Sequence, residues 1–339
     1  MTMVKTIDDA RPMMAALVSL PAQSKHHGID PLALGQSSDA SEAIANSDTS
    51  WLYRSLIDGF SYQGIRDSHA RAYIEKHGNA EWYGVTDALS REGRSSEQEL
   101  CPKLVDFDSY RGCRYRKVAQ TCANPDSLAT CPVPKLALRK GVLNEQAFSL
   151  YLFIRDECSG DLVAFIDRLL DVTNTGEDPV SAGREELLAA FTQVVGVSRK
   201  LAGMMLSQIL LNAGPDRERW HAVGASVVVV DSLVHNFLHR TGTLSAYEGD
   251  HLYGERCYGP ASCETILRDL AARLSTPAGS ISPRSLQHAV WRFCAADQLA
   301  VCNGNNIRDT LPCQLEWCGL KTHCSRLSLR PAKPTTEEV

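Results

Sequence analysis

With 339 residues, 44% of them hydrophobic and 22% charged, the chain is long enough to bury one large core or two modest ones, and disorder over its whole length is excluded. No stretch approaches the roughly 20 apolar residues of a membrane span, so a cytoplasmic monomer with no membrane partner is expected. The formal net charge of −5 weighs against a nucleic-acid partner, unless positive charge is concentrated locally.

Residues 1–48 show no sustained period and are expected to form a disordered tail, as are residues 327–339, which are rich in Pro, Thr and Glu. Residues 49–142 read as an extension that is helical at first, with one or two helices between Trp51 and Gly78. From residue 93 it is loop-rich, broken by Pro102, Gly112, Pro125, Pro132, Pro134 and Gly141. Residues 101–140 hold eight Lys or Arg against three Asp, a local excess of five positive charges. That stretch could meet phosphate or be only a solvated face.

A helical core is expected over 143–300. Ser159 can cap a helix with Leu162, Phe165, Ile166 and Leu169 on one stripe, and the next helix carries Leu187, Phe191 and Val194. After the break at Val195 to Ser198, a helix starts at Arg199, so the pair forms a tight hairpin. Its turn presents Gly196, Val197, Ser198 and Arg199, whose backbone amides suit a phosphate; a plain hairpin would use the same residues. The apolar run Val227–Val230 reads as a buried extended lead into a helix at Asp231. Asp231 is most simply an N-cap, and His235, four residues on, a structural hydrogen-bonding residue. Further helices are expected at Cys263–Leu274 and from Pro283 to about Leu299, which makes the fold class all-α.

Twelve cysteines without a secretion signal point to metal ligation or buried thiols rather than disulfides. Cys302, Cys313, Cys318 and Cys324 form a C-x10-C-x4-C-x5-C array in a loop at 301–326, a ligand set for a [4Fe-4S] cluster or a structural zinc. Cys101, Cys113, Cys122 and Cys131 could form a second array, or be chance thiols. Cys158, Cys257, Cys263 and Cys294 read as buried small hydrophobes.

VVGVSRKLAG at 194–203, followed some thirty residues later by VVVVDSLVHNFLHRTG at 227–242, resembles the helix-hairpin-helix, Gly/Pro-rich, aspartate motif of the endonuclease III superfamily of DNA glycosylases. The resemblance covers roughly residues 143–326. It implies two helical subdomains with a cleft, double-stranded DNA as partner, and excision of a damaged or modified base, with strand cleavage at the abasic site. It assigns the nucleophile to Lys200 and the essential aspartate to Asp231. It also implies a [4Fe-4S] cluster on Cys302, Cys313, Cys318 and Cys324, since the family carries C-x6-C-x2-C-x5-C at this point. The chain departs from the motif at Val195, where proline is usual, and at Ser198, where a second glycine is usual. Two other classes stay open: a non-catalytic DNA-binding or redox-sensing iron-sulfur protein, and a zinc-stabilised interaction scaffold.

Overall fold

The structure is a computed structural model that describes residues 6–20, 37–62, 67–90, 99–116, 118–135, 142–277 and 279–330. It is all-α: among the described residues there are fifteen α-helices and no β-strand, only isolated bridges joining Arg116 to Thr121 and Thr276 to Gly279. Two compact units divide the chain. One is continuous, Gln36–Gly224; the other joins Met1–Gly35 to Ala225–Val339.

Helix α1 (Ile7–Val18) belongs to the discontinuous unit. Thr6 and Asp9 close a capping box at its start, and Ala10, Met13, Met14 and Leu17 are buried on one face. The expectation of a disordered tail over 1–48 is therefore corrected for the described part, because this short helix is held by packing more than by its own propensity. Residues 1–5 and 21–36 of that tail lie outside the described residues.

The continuous unit runs through α2 (Ser38–Ala45), α3 (Thr49–Phe60), α4 (Asp67–His77), α5 (Trp82–Leu89), α6 (Phe107–Tyr110), α7 (Val142–Asp156), α8 (Leu162–Thr173), α9 (Pro179–Phe191) and α10 (Arg199–Leu211). The division falls within the last turn of helix α11 (Glu218–Ser226). Helix α7 lies at its centre. Phe153 on α7 meets Phe107, Phe165 and Phe191 edge-on, with centroids 5.4, 5.7 and 5.4 Å away, and the fully buried rings, Phe107, Phe153 and Phe191, each stabilise by roughly 1.5–3 kcal/mol. Helix α3 packs on α7 through buried Leu52, Leu56 and Phe60, and Tyr53 donates to the Ala147 carbonyl at 3.0 Å. Described residues of the stretch 49–142, among them Leu52, Tyr53, Leu56, Phe60 and Phe107, share this core. The cap of α8 is Asp161, accepting from the Ala164 amide at 2.9 Å; Ser159 sits in a turn at φ 54° instead.

In the discontinuous unit, α12 (Ser232–Arg240), α13 (Thr243–Ala246), α14 (Cys263–Leu274) and α15 (Pro283–Cys294) pack with α1. The buried run Val227–Val230 is neither helix nor strand and leads into the next helix, as expected. Its last peptide groups are satisfied by the Tyr258 hydroxyl, which accepts from the Val230 amide at 3.2 Å and donates to the Val230 carbonyl at 3.3 Å. Helix α15 stops at Cys294, short of Leu299, because the chain turns back: the Leu299 amide reaches the Arg292 carbonyl and that of Val301 reaches Phe293. Residues 327–330, placed in a disordered tail by the sequence reading, dock on this unit. The amides of Ser325 and Leu327 donate to the carbonyls of Thr241 and Arg240 at 3.1 and 2.8 Å, satisfying groups that the end of α12 leaves unpaired. Residues 331–339 lie outside the described residues.

Candidate metal centre

Helix α12 organises the discontinuous unit chemically. Asp231 caps it, its carboxylate accepting from the Val234 amide at 2.9 Å. One turn in, His235 is buried against two thiols: Nδ1 lies 3.4 Å from Cys263 Sγ and 3.6 Å from Cys257 Sγ. His251, from the loop after α13, places Nε2 3.4 Å from Cys263 Sγ. Among the described residues this is the one group of three or more His, Cys, Asp or Glu whose ligating atoms all lie within 4.8 Å of one another.

Those distances match a tetrahedral ion. With Zn–S of about 2.3 Å and Zn–N of about 2.0–2.1 Å, each sulfur should lie about 3.5 to 3.6 Å from each nitrogen. His251 Nδ1 donates to the Gly249 carbonyl at 2.5 Å, which leaves Nε2 to coordinate. The bond from the Cys263 thiol pulls Cys257 well down, helped by His235 and the Gly254 backbone, and the same bond pushes Cys263 up. The group could hold a zinc ion with four protein ligands and no open position, the arrangement of a structural site.

Cys257 and Cys263 are buried and His235 is hydrogen-bonded, as expected, but the sequence did not show that the fold gathers them with His251 into one group that could hold an ion. The residues follow an H-x15-H-x5-C-x5-C spacing that spans a loop of irregular backbone, with Glu248, Gly254, Gly259 and Ala261 at positive φ. Such a loop has little core of its own, and a metal tying it to α12 and α14 would fix it.

Beyond the other end of α12 lie Cys302, Cys313, Cys318 and Cys324. Their thiols are within electrostatic reach of one another, but no three of the sulfurs meet the 4.8 Å spacing of the His2Cys2 group. Backbone N–H groups point at them: Arg326 to Cys324 at 3.3 Å, and Leu320 and Lys321 to Cys318. A hydrogen bond from the Cys294 thiol, reinforced by the Arg240 charge, holds Cys302 below the usual thiol range. Arg240 is only 2% exposed. Its Nη2 pairs with Asp309 at 3.2 Å, while Nη1 is buried with no hydrogen-bond partner among the described residues. A buried guanidinium with one nitrogen on Asp309 and its charge felt by Cys302 favours the thiolate form there, the form that ligates a metal.

In the continuous unit, the hairpin joins α9 to α10. Gly196 turns it at φ 75°; a Cβ there would come 2.9 Å from Gln146 Nε2, which donates to the Gly196 carbonyl at 2.9 Å. Val197 is buried. Ser198 caps α10 in extended backbone (φ −80°, ψ 162°), accepting from the Leu201 amide at 3.3 Å, so this position does not need glycine. Arg199 pairs with Glu185 on α9 at 2.8 Å. Lys200 is half-buried in the first turn of α10. Beside the hairpin, Tyr110, Arg111, Arg114, Arg116, Glu145 and Val195 line a cleft of about 230 Å³. Burial pushes the Glu145 carboxyl up to about 7. Lys117, Arg139 and Lys140 of the basic stretch lie outside the described residues.

Lys200 and Asp231 therefore belong to different units. No helix of the described residues is long and apolar enough to cross a membrane. Compared with protein-family models, curated proteins and solved structures, the chain matches none.

Proposed function

We propose that this protein is a DNA glycosylase of the helix-hairpin-helix type, with accompanying strand cleavage at the abasic site. The observation that carries the reading is Asp231, a half-buried carboxylate set at the start of α12 by the buried valine run before it. A charge placed there is favoured by the helix dipole and is available to a developing cation. The hairpin supports it, with a left-handed Gly196 leading into Lys200 at a helix N-terminus.

The target nucleotide must leave the stack before its N-glycosidic bond can be reached. The Lys200 amine, deprotonated, attacks the deoxyribose C1′; the bond to the base breaks, and the base departs with the electron pair. The resemblance assigns to Asp231 the stabilisation of the positive charge that develops at C1′, and the proton of the attacking nitrogen passes to water. The resulting Schiff base permits elimination of the 3′ phosphate. Cys302, Cys313, Cys318 and Cys324 would hold a [4Fe-4S] cluster, which would shape and charge the loop they carry.

The test is a panel of duplex oligonucleotides bearing damaged or modified bases and an abasic site, incubated with the purified protein and borohydride. A covalent adduct should be trapped on at least one substrate, and Lys200→Ala should abolish it while DNA binding persists. No excision, no nicking and no adduct on any substrate, with DNA still bound, would replace the enzyme with a non-catalytic binding protein. Loss of DNA binding as well would favour the zinc-stabilised scaffold, which the His2Cys2 group makes the second reading.

A further inference from the structure

The loop-rich segment before α7 has a chemistry that glycosylase action does not require. Cys101, Cys113, Cys122 and Cys131 line one small pocket, shared with Lys103 and Tyr115. The fold brings them there by short-range devices. The amide of Arg116 donates to the Thr121 carbonyl at 2.7 Å and that of Ala123 to the Cys113 carbonyl at 2.8 Å, so the chain doubles back and sets Cys122 beside Cys113. The 3-10 turns Pro102–Leu104 and Pro125–Ser127 follow Cys101 and precede Cys131.

Donors point at these sulfurs. Asn124 Nδ2 lies 3.7 Å from Cys101 Sγ, the Tyr115 N–H reaches Cys113, and the Val133 N–H reaches Cys131. In the last two the donor is the amide two residues further on, the same device that Arg326 provides for Cys324 and Leu320 for Cys318. A neutral thiol gains little from such donors, whereas a thiolate, the metal-binding form, is stabilised by them. Lys103 adds a positive charge to the pocket.

The spacing separates the candidate metals. One zinc gathers four thiolates to about 3.8 Å from one another. The ligating atoms of the His2Cys2 group all lie within 4.8 Å of one another, whereas no group of that kind is found among Cys101, Cys113, Cys122 and Cys131. Four sulfurs facing one pocket at wider spacing suit a cluster with a separate iron for each thiolate. We propose that Cys101, Cys113, Cys122 and Cys131 ligate an iron-sulfur cluster of the [4Fe-4S] type, additional to any at Cys302, Cys313, Cys318 and Cys324. Each thiol loses its proton and binds one iron, with iron and sulfide supplied together. The proposal rests neither on glycosylase activity nor on the other quartet.

The full chain, purified without oxygen and reconstituted with ferrous iron and sulfide, should carry about eight irons and eight sulfides. Cys113→Ala/Cys122→Ala should remove about half of both and half of the brown absorbance. Cys318→Ala reads the same site without touching it and should retain about four irons. If Cys318→Ala retained no iron, the proposal would be overturned. The same holds if Cys113→Ala/Cys122→Ala kept the full iron content, or if this quartet took up zinc and no sulfide. If iron were lost on changing Cys113 and Cys122 but not Cys318, this site would stand and the C-terminal assignment would fall.

Discussion

Asp231 does two jobs that a single substitution can separate. As a cap it offers an oxygen to the Val234 amide, which asparagine does about as well. As a stabiliser of positive charge it needs its own negative charge, which asparagine lacks. Asp231→Asn should therefore fold with an unchanged thermal midpoint and bind DNA, while single-turnover excision falls by roughly 10²–10³. Excision at the wild-type rate would reduce Asp231 to a helix cap. This residue was legible because capping is a local matter, readable from a polar residue after four valines. Gly196 was legible for a similar reason, since a tight turn needs positive φ. Ser198 stands where a second glycine is usual, and its extended backbone shows why a serine serves there as a cap.

At the scale of elements, α12 carries Asp231 at its start and His235 one turn in, and its last carbonyls receive the chain that follows Cys324. A zinc ion on His235, His251, Cys257 and Cys263 would fasten α12 and α14 to the loop between α13 and α14. His251→Ala removes one ligand from that loop and leaves α12 intact. Zinc should drop from about one per chain to near zero, iron should be retained, and the thermal midpoint should fall by roughly 5 to 10 °C. A variant that kept both zinc and midpoint would show the four side chains to be a hydrogen-bonded cluster only. The spacing of this group was not readable, because its ligands span more than two elements and match no short motif. Helix α1 was missed for a related reason. Its Met-rich face, with Pro12 inside the helix, gives a weak local pattern, and α14 and α15 supply its stability. The main helices were readable because their apolar stripes recur at helical spacing. The division at Gly224/Ala225 was not, because it depends on contacts between residues far apart in sequence.

For the whole molecule, a net charge of −5 repels DNA at long range, so affinity must come from a local field of opposite sign. Arg111, Arg114 and Arg116 supply one, lining a cleft that Val195 of the hairpin shares. Three phosphate contacts would contribute up to about 2.7 to the slope of log affinity against log salt, at about 0.9 per contact on B-DNA. Replacing all three arginines with Glu should weaken duplex binding at low salt and flatten that slope by a comparable amount. The control is reversal at Arg54 and Arg219, exposed arginines paired with Glu81 and Asp171. It adds negative charge to the same unit away from the cleft, so it tests whether total charge or its placement governs binding. Within a Debye length of about 10 Å at 0.1 M salt, placement should dominate, and the control should move affinity little. Equal weakening per reversed charge in both sets would make the effect one of net charge, and no change from the cleft set would leave the arginines a solvated face, with DNA held elsewhere.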